Sequence, residues 1–596
     1  MAAEAIGTAL AVVGVLGQLF DGCVKAYSFF TTAANLDVDS QRLFCKVRIE
    51  EMRLVVWGRD WGVAEGRLEA HLESTRNPQL RALAMQILEE LHGTVTDFRK
   101  LREKYGLVDE GGSSDSLDVK GRTSKGGKKS PSPSPSPSRR ASRDEKANGC
   151  LSKSSTSSSD RGWKKEFSLR ARWVISDKDK FTALLRDLRG ISLSHPFPPR
   201  PHLVAKLAAV KLTVPLSQDF NDGLERLFPP SHLPSYERAW TYQLLESAQR
   251  DLAQLSLLEK AATGVYPQLT ASATLKSLRI NLDTKPQASF KPTFALKVPR
   301  AALDIPVGAD RRRCQARHER AGDVIIEWVD YDPQAIEERV AHVRRLDDLA
   351  RMMHSASECH PDLHSIDCVG YTEDTPNNRY GLVYKAPAPT FSTLHSLISD
   401  LKAPDLNDRV KLAHTLAVAL WSLHSLDWLH KSLCSSNILF FPSAFSKSAH
   451  STTANAALVP AIAKPYLTGF DASRPDLDTA LSVVSRNPSI ATLHRHPGSL
   501  KGRPHCKPFD AYSLGLVLLE IGLWKVLQAY HKPHYSAERW RDKVVLSALV
   551  PGLGSKVGRR YREVVEMCLK ASEDMTSSEA GKLMETVVTT LEGIRI

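Results

Sequence analysis

The chain has 596 residues, of which 42% are hydrophobic, and its 80 basic and 67 acidic side chains give a formal net charge of +13. This composition excludes collagen-like, coiled-coil and wholly disordered chains, and it is sufficient for several packed cores. The nine cysteines are scattered without a CxxC pair, which is typical of a reducing compartment, so we expect a cytoplasmic protein.

The stretch from Ala5 to Phe20 carries no charge. It is shorter than the ~18–20 apolar residues that span a bilayer, and its three glycines make it less apolar still. We therefore expect the buried first helix of a bundle. The alternative is a helix that enters a membrane once it is released, because small residues let helices approach closely in lipid. The apolar anchors of such a helix would be Ile6, Leu10, Val13 and Leu16.

Three later segments have the apolar period of an amphipathic helix. They lie between Leu80 and Phe98, between Phe181 and Leu188, and between Trp240 and Leu255. Short runs with a period of two, which indicate strands, are hard to find before about residue 260. We therefore predict an all-α helical bundle in the first part of the chain.

A Ser-, Pro- and Lys-rich insert over residues 108–162 interrupts this bundle. Residues 120–165 carry thirteen basic and three acidic side chains, and the segment SPSPSPSPSRRASR cannot bury apolar surface, so we expect disorder. The rest of the chain is close to neutral, which argues against a nucleic-acid-binding surface. The insert is either an inert spacer or a regulatory segment. A regulatory segment could hold a phosphorylation site at Ser142, a cluster that attracts anionic lipid, or a nuclear-import signal.

Strand patterns begin after about residue 286 and are followed by long helical patterns, which favours an α+β unit. Four pieces occur in a fixed order: VIIEW, LHSLDWLHKSLCSSNILFF, YLTGFDASR and FDAYSLGLVLLEIGLW. This order resembles the protein-kinase fold over residues 285–596. The resemblance implies that Asp510 bonds to the backbone of the catalytic loop, and that Asp510 and Gly515 are structural.

The positions that carry kinase chemistry depart from the kinase pattern. Ser432 stands where the catalytic Asp is expected, Gly469 replaces the metal-binding Asp, and Glu327 replaces the strand Lys. A hydroxyl cannot accept the substrate proton near pH 7 as a carboxylate can, and glycine offers no metal ligand. Asn437 is retained, whereas Cys434 stands where many kinases have a phosphate-contacting Lys. No glycine-rich loop precedes the strand, so we predict a pseudokinase with no catalytic residue and no ATP cofactor.

Three other features have alternative interpretations. Lys297 in FALK could serve as the strand lysine of a divergent kinase, together with Asn437 and Asp471. The basic run from Arg311 to Arg320 predicts an exposed loop, with a phosphate or lipid patch as the alternative. A third group lacks the usual zinc spacing, and we predict no metal there; its members are His354, Cys359, His360, His364 and Cys368.

The first part of the chain resembles a fungal HeLo domain, the helical domain of the prion-inhibition and propagation family, over residues 1–215. The resemblance rests on the uncharged first helix, on Trp57 and Trp61, and on the sequence RWVISDKDKFTALLRDLRG after the insert. HeLo domains are similar to the executioner bundle of the mixed lineage kinase domain-like family, in which such a bundle is paired with a pseudokinase. Both are implied to permeabilise membranes through their N-terminal helices.

We therefore predict a HeLo-like bundle over residues 1–215, a helical linker or brace over 216–285, and a protein-kinase-like domain over 286–596. The predicted function is a regulated, membrane-active effector of cell death or heterokaryon incompatibility, restrained by its pseudokinase domain until an unknown activator releases it. The activated form is expected to form homo-oligomers on anionic membrane lipids, without nucleic acid. The alternatives are a divergent Ser/Thr kinase and a non-catalytic signalling scaffold.

Overall fold

The computed structural model describes residues 14–30, 38–75, 78–104, 107–109, 173–175, 178–189, 220–284, 296–306, 312–334, 336–442, 462–470 and 493–595. Several predicted features lie outside these ranges. They are Ile6, Leu10 and Val13 of the first helix, the insert from residue 110 onwards with Ser142, and Asp471.

The described part of the N-terminal bundle contains the helices α1 (Val15–Phe30), α2 (Val38–Asp60), α3 (Arg67–Ser74), α4 (Pro78–Thr96), α5 (Phe98–Glu103) and α6 (Lys178–Arg189). Helix α1 packs against α2 and α4, and its apolar face is buried in the core. Leu16 is 1% exposed, and the Phe20 ring lies 6.3 Å from the Trp57 ring. From Val15 onwards, the uncharged N-terminal stretch is therefore an integral helix of the bundle.

The two ends of the insert are joined by a short ladder that the sequence did not predict. Strand β1 (Leu107–Asp109) pairs antiparallel with β2 (Trp173–Ile175). Strands of three residues are too short to show a period of two, which explains why the all-α prediction missed them. The strand also includes Val108 and Asp109, so the predicted start of the insert is two residues too early.

The next described helices are α7 (Phe220–Leu227), α8 (Leu233–Ser247), α9 (Leu252–Ala262) and α10 (Pro267–Thr284), and the first three of them pack against the bundle. We call them the brace. The indole N–H groups of Trp57 and Trp61 donate to the Phe228 carbonyl, at 3.1 and 2.9 Å. Helices α8 and α9 contact α2, so the brace is more than a linker between two domains.

The C-terminal unit, residues 296–595, begins with a five-stranded antiparallel sheet in the order β3-β4-β5-β7-β6. The strands are β3 (Leu303–Asp304), β4 (Arg313–His318), β5 (Gly322–Asp330), β6 (Cys368–Asp374) and β7 (Arg379–Lys385), and α11 (Ile336–Cys359) lies between β5 and β6 in the chain. Helix α11 packs on β6 and also contacts α10 of the brace. Apolar residues of β5 such as Ile325 and Ile326 are fully buried.

The rest of the C-terminal unit is mainly helical, with a small sheet β10-β9-β8. Its elements are β8 (Ser392–Thr393), α12 (Leu394–Asp400), α13 (Leu406–Ser425), β9 (Ile438–Phe440), β10 (Tyr466–Leu467), α14 (Pro497–Leu500), α15 (Lys507–Leu523), α16 (Ala537–Arg539), a π-helix (Trp540–Leu549), α17 (Val550–Val557), α18 (Arg559–Leu569) and α19 (Ser577–Glu592). Helix α15 is apolar on all sides and is therefore central to the core. Gly515 permits its contact with α18, because a Cβ at this position would lie 2.9 Å from the Cβ of Cys568.

The brace connects the bundle to this unit, because α8 contacts α13 and α19 as well as α2. The Tyr242 ring meets the Trp421 ring edge-on at 4.9 Å, and the Tyr242 hydroxyl lies 2.6 Å from the Ser422 hydroxyl. Within the ranges that the structure describes, no helix has both the length and the apolar character needed to cross a bilayer.

Candidate functional site

The centre of the C-terminal unit contains a buried ion pair between Arg313 and Glu327. The two residues lie directly opposite each other in the β4–β5 ladder, and they are 8% and 3% exposed. Arg312, Arg317 and Arg320 are exposed as predicted, but Arg313 and Arg317 lie on strand β4 rather than in a loop, and Arg313 is buried. The reason is strand alternation, which turns Arg313 towards the interior, where Glu327 supplies the opposite charge.

Arg313 also joins the sheet to the segments that follow α13. Its guanidinium donates to the Ser436 carbonyl at 3.0 Å, to the Thr468 hydroxyl at 2.9 Å and to the Asn437 side-chain oxygen at 3.3 Å. Burial disfavours its charged form, but Glu327 outweighs burial and raises the pKa of Arg313. The guanidinium is thus a permanent cation between the two parts of the unit.

Glu327 is bound from two further directions. Its carboxylate accepts from the Gly469 amide at 3.0 Å and from the Tyr384 hydroxyl at 3.4 Å. The Glu327 carboxylate thus faces the Arg313 guanidinium and the Gly469 amide. It occupies the position where the kinase pattern has a lysine for nucleotide phosphates.

Asn437 and Ser432, which the kinase pattern places at the metal and at the catalytic base, bind each other. The Asn437 amide donates to the Ser432 carbonyl at 2.7 Å, while its oxygen accepts from Arg313. The Thr468 amide donates to the Asn437 carbonyl at 2.9 Å. The polar groups of Asn437 are therefore engaged in protein contacts.

Gly469 has no room for a side chain. Its φ is +83°, and a Cβ would lie 2.2 Å from the Asn437 amide nitrogen. Positive φ and this close approach both require glycine. A metal-binding side chain therefore does not fit at this position while Asn437 keeps its place.

Asp510 lies at the N-terminal end of α15 and is fully buried. Its carboxylate accepts from the backbone amides of His430 and Lys431 at 2.7 and 2.9 Å, and from the His505 ring at 2.9 Å. Burial alone would raise the pKa of Asp510, but His505 and His424 lower it well below its usual range. This is the backbone contact that the kinase resemblance implies for Asp510.

The remaining candidates lie elsewhere. Lys297 bridges to Tyr371 of β6 and its ammonium lies 3.3 Å from the Glu373 carboxylate, so it is not on β5. Cys434 is buried, which raises the pKa of its thiol. In the described ranges no group of three or more His, Cys, Asp or Glu is arranged to hold a metal. Members of the predicted His and Cys group make separate contacts, such as His360 with the Ser272 hydroxyl at 2.6 Å.

A second charged centre, the Arg53 cluster, joins the bundle to the brace. Arg53 on α2 is 6% exposed and pairs with Glu50 at 3.1 Å, with Asp222 at 2.7 Å and with Glu225 at 2.8 Å. The Tyr266 hydroxyl donates to Glu50 at 2.7 Å. One buried guanidinium thus faces three carboxylates from α2 and α7.

Several ion pairs reach the C-terminal unit, among them Lys276 of α10 with Asp427 at 2.9 Å. Arg59 on α2 pairs with Glu585 on α19, which links the bundle directly to that unit. Arg238 on α8 pairs with Asp362 at 2.7 Å. Sequence reasoning missed these pairs, because partners more than a hundred residues apart leave no local pattern. Arg313 could have been found, since β4 and β5 form a hairpin whose register places it opposite Glu327.

Comparison with known families finds one match in each part of the chain. Residues 7–194 match the HeLo family, described as prion-inhibition and propagation. Residues 334–588 match DUF7580, a domain of unknown function. No curated protein matches the chain. The HeLo match points to a role related to cell death or incompatibility, and the C-terminal unit combines helices with a curled sheet.

Proposed function

We propose that this protein is a regulated cell-death effector in which a kinase-like domain without phosphotransferase activity restrains a membrane-active HeLo bundle. The HeLo match supports the cell-death role. The proposed division places the bundle in residues 1–215, the brace in 216–285 and the kinase-like domain in 286–596.

Topology supports the kinase-like assignment. The sheet order β3-β4-β5-β7-β6, with α11 inserted between β5 and β6, is the arrangement of the small lobe of a protein kinase. The contact of Asp510 with the amides of His430 and Lys431 is the anchor expected of the large lobe. The match of residues 334–588 to a domain of unknown function leaves the activity of this unit to experiment.

The observation that carries the inactive assignment is the buried Arg313. Its guanidinium is bonded to Glu327, Thr468, Asn437 and the Ser436 carbonyl, so the groups that a metal–nucleotide complex would need are bound to each other. Binding of ATP would have to break a desolvated ion pair, at a cost of about 3–5 kcal/mol. The divergent-kinase alternative needs Lys297 at the cleft, and Lys297 pairs with Glu373 instead.

Restraint of the bundle is supported by the position of α1 and by the contacts around α2. Helix α1 is buried by α2 and α4, so a membrane role for the residues before it requires a rearrangement. The Arg59–Glu585 pair links α2 of the bundle to the C-terminal unit. We propose that loss of this contact lets the bundle form oligomers on anionic membranes, whereas the resting form stays in the cytoplasm.

The proposal is tested by expressing three proteins, two full-length and one truncated, in a fungal host and measuring viability. Glu585→Arg places a second guanidinium next to Arg59, a like-charge contact that costs on the order of several kcal/mol. We expect the parent chain to be harmless, Glu585→Arg to be toxic, and Glu585→Arg without residues 1–13 to be harmless again. Truncation at residue 13 removes Ile6, Leu10 and Val13 but leaves Leu16 and the rest of α1 in the core.

A toxic variant that stays toxic without residues 1–13 would contradict the membrane role of the N-terminal stretch. A phosphotransfer assay with ATP separates the kinase alternative. Autophosphorylation that disappears in Asn437→Ala would contradict the inactive assignment. A signalling scaffold is favoured if Glu585→Arg folds, loses the interface and has no effect on viability.

A further inference from the structure

A cavity of about 260 Å³ lies where the bundle, the brace and the C-terminal unit meet. We call it the junction cavity. Met52 of α2 contributes to it from the bundle, Tyr242 and Glu246 of α8 from the brace, and Trp421 and His424 of α13 from the C-terminal unit. Its volume is below the roughly 300–1,000 Å³ of most sites for drug-sized ligands, so a nucleotide is too large and a small metabolite is the right size.

Most charges around the junction cavity are already paired. Lys507 binds Asp427 at 3.2 Å and the Ser577 hydroxyl at 2.6 Å, and Arg59 binds Glu585. Lys582 also lines the cavity but is exposed, and Lys276, which pairs with Asp427, interacts electrostatically with Glu246 as well.

Two acceptors at the cavity differ from these paired groups. The Glu246 Oε1 atom is buried and has no hydrogen-bond partner among the described residues. His424 is 2% exposed, its Nδ1 atom has no partner in the same ranges, and its Nε2 atom lies 3.5 Å from the Asp510 carboxylate. Buried polar atoms are normally hydrogen-bonded, so unpartnered acceptors that line a cavity indicate a missing donor.

The apolar wall is suited to the same kind of ligand. Trp421, whose ring meets the Tyr242 ring edge-on, lines the cavity together with Met52 and Ala239. An indole face attracts organic cations, and the neighbouring apolar groups suit a short methylene chain. We propose that the junction cavity binds a small organic cation, an alkylamine or alkylguanidine, with its nitrogen on Glu246 and its chain against Trp421.

Such a ligand would contact all three parts of the molecule at once. A ligand that binds one arrangement better than another stabilises that arrangement by its difference in affinity. Bound amine therefore holds the bundle and the brace against the C-terminal unit and strengthens the resting arrangement. This inference concerns binding alone and does not depend on killing activity.

Calorimetry and thermal unfolding of the full chain test the proposal with putrescine and agmatine as probes, and with succinate as an anion of the same chain length. We expect millimolar amine to raise the unfolding midpoint and succinate to leave it unchanged. Glu246→Gln should weaken amine binding by about tenfold or more, because it removes a charged hydrogen-bond acceptor. Glu237→Gln is the matched control, since this carboxylate is on the same helix but does not line the cavity.

Circular dichroism and the midpoint without ligand establish that both variants fold. The proposal is overturned if neither amine binds at millimolar concentration or if succinate binds equally well. It is also overturned if a folded Glu246→Gln protein keeps the parent affinity, or if Glu237→Gln weakens binding to the same extent.

Discussion

The bundle and the C-terminal unit hold their buried carboxylates in opposite ways. In the bundle, burial raises the pKa of Glu51 to about 7, and Arg48 offsets this effect only in part. In the C-terminal unit, Lys276 of the brace and the unit's own Lys507 lower the pKa of Asp427 in spite of its burial. The ionised form is thus destabilising at Glu51 and stabilising at Asp427. The difference teaches that the charge of Asp427 is compensated by neighbouring lysines, whereas the charge of Glu51 retains an electrostatic cost in the folded bundle.

At the contact between the two regions, burial shifts the pKa of the Glu585 carboxylate in the same direction as that of Glu51 in the bundle. Burial raises the pKa of Glu585 although Arg59 lies beside it. Within the C-terminal unit, in contrast, His494 lowers the pKa of the buried Glu520. Arg59 therefore offsets only part of the cost of burying Glu585, whereas His494 outweighs that cost at Glu520.

The largest effect is expected from Arg53→Met, which removes the one cation of the Arg53 cluster. Glu50 is fully buried and Glu225 is nearly so, and both would lose their counter-charge. We expect the bundle to lose about 3–5 kcal/mol of unfolding free energy, measured by hydrogen exchange of the α2 amides. Arg59→Met is the control. Because Arg59 is 43% exposed, it should cost about 1 kcal/mol or less. Equal losses in the two variants would contradict the distinction between the cluster and the Arg59–Glu585 pair.

The next effect concerns the close approach of Gly469 to the Asn437 side chain. Gly469→Ala and Gly502→Ala are matched, because the φ angles are +83° and +80°, but only Gly469 faces a neighbour within contact distance. The backbone cost at Gly502 should be about 1–2 kcal/mol. At Gly469 the clash with Asn437 should add about 1–3 kcal/mol. Urea unfolding of the full chain measures the loss of unfolding free energy in each variant. Identical losses would show that there is room for a side chain between Gly469 and Asn437.

A smaller effect, with an unusual sign, is expected from Glu51→Gln. The pKa of Glu51 rises from 4.5 to about 7 on folding, so its contribution to stability falls as the pH rises through that window and is fully unfavourable above it. Glu51→Gln should therefore stabilise the bundle by about 1–3 kcal/mol at pH 8 and have almost no effect at pH 4. Urea titrations at the two pH values measure the difference. A stabilisation that does not change with pH would mean that packing rather than charge is responsible.

How far the sequence predicts this molecule depends on the distance over which each feature is encoded. The helix over Phe181–Leu188 forms because its apolar residues repeat every three or four positions, and that period is local. The anchor at Asp510 was expected because a motif of known geometry surrounds it. The β1–β2 ladder was missed because its strands have three residues each, separated by more than sixty.

The candidate site was predicted only in part. Ser432 and Gly469 were recognised as departures from the kinase pattern, since each stands at a fixed motif position. Arg313, which joins the sheet to the segments that follow α13, was assigned to an exposed loop because its neighbours Arg311 and Arg312 dominate the local pattern. The Arg53 cluster and the Arg59–Glu585 pair depend on the packing of the brace and of α19, which no local pattern encodes.

The central claim is that the C-terminal unit restrains the bundle through their direct contact, and a reciprocal charge exchange tests it most directly. Arg59→Glu/Glu585→Arg restores an ion pair with the charges reversed, whereas Glu585→Arg alone does not. The measurement is host viability, with hydrogen exchange of α1 and α2 on the purified proteins. The account predicts that the single variant is toxic and exposes the bundle, and that the double variant returns both readouts towards the parent chain. A double variant as toxic as the single one, with the bundle equally exposed, would contradict it.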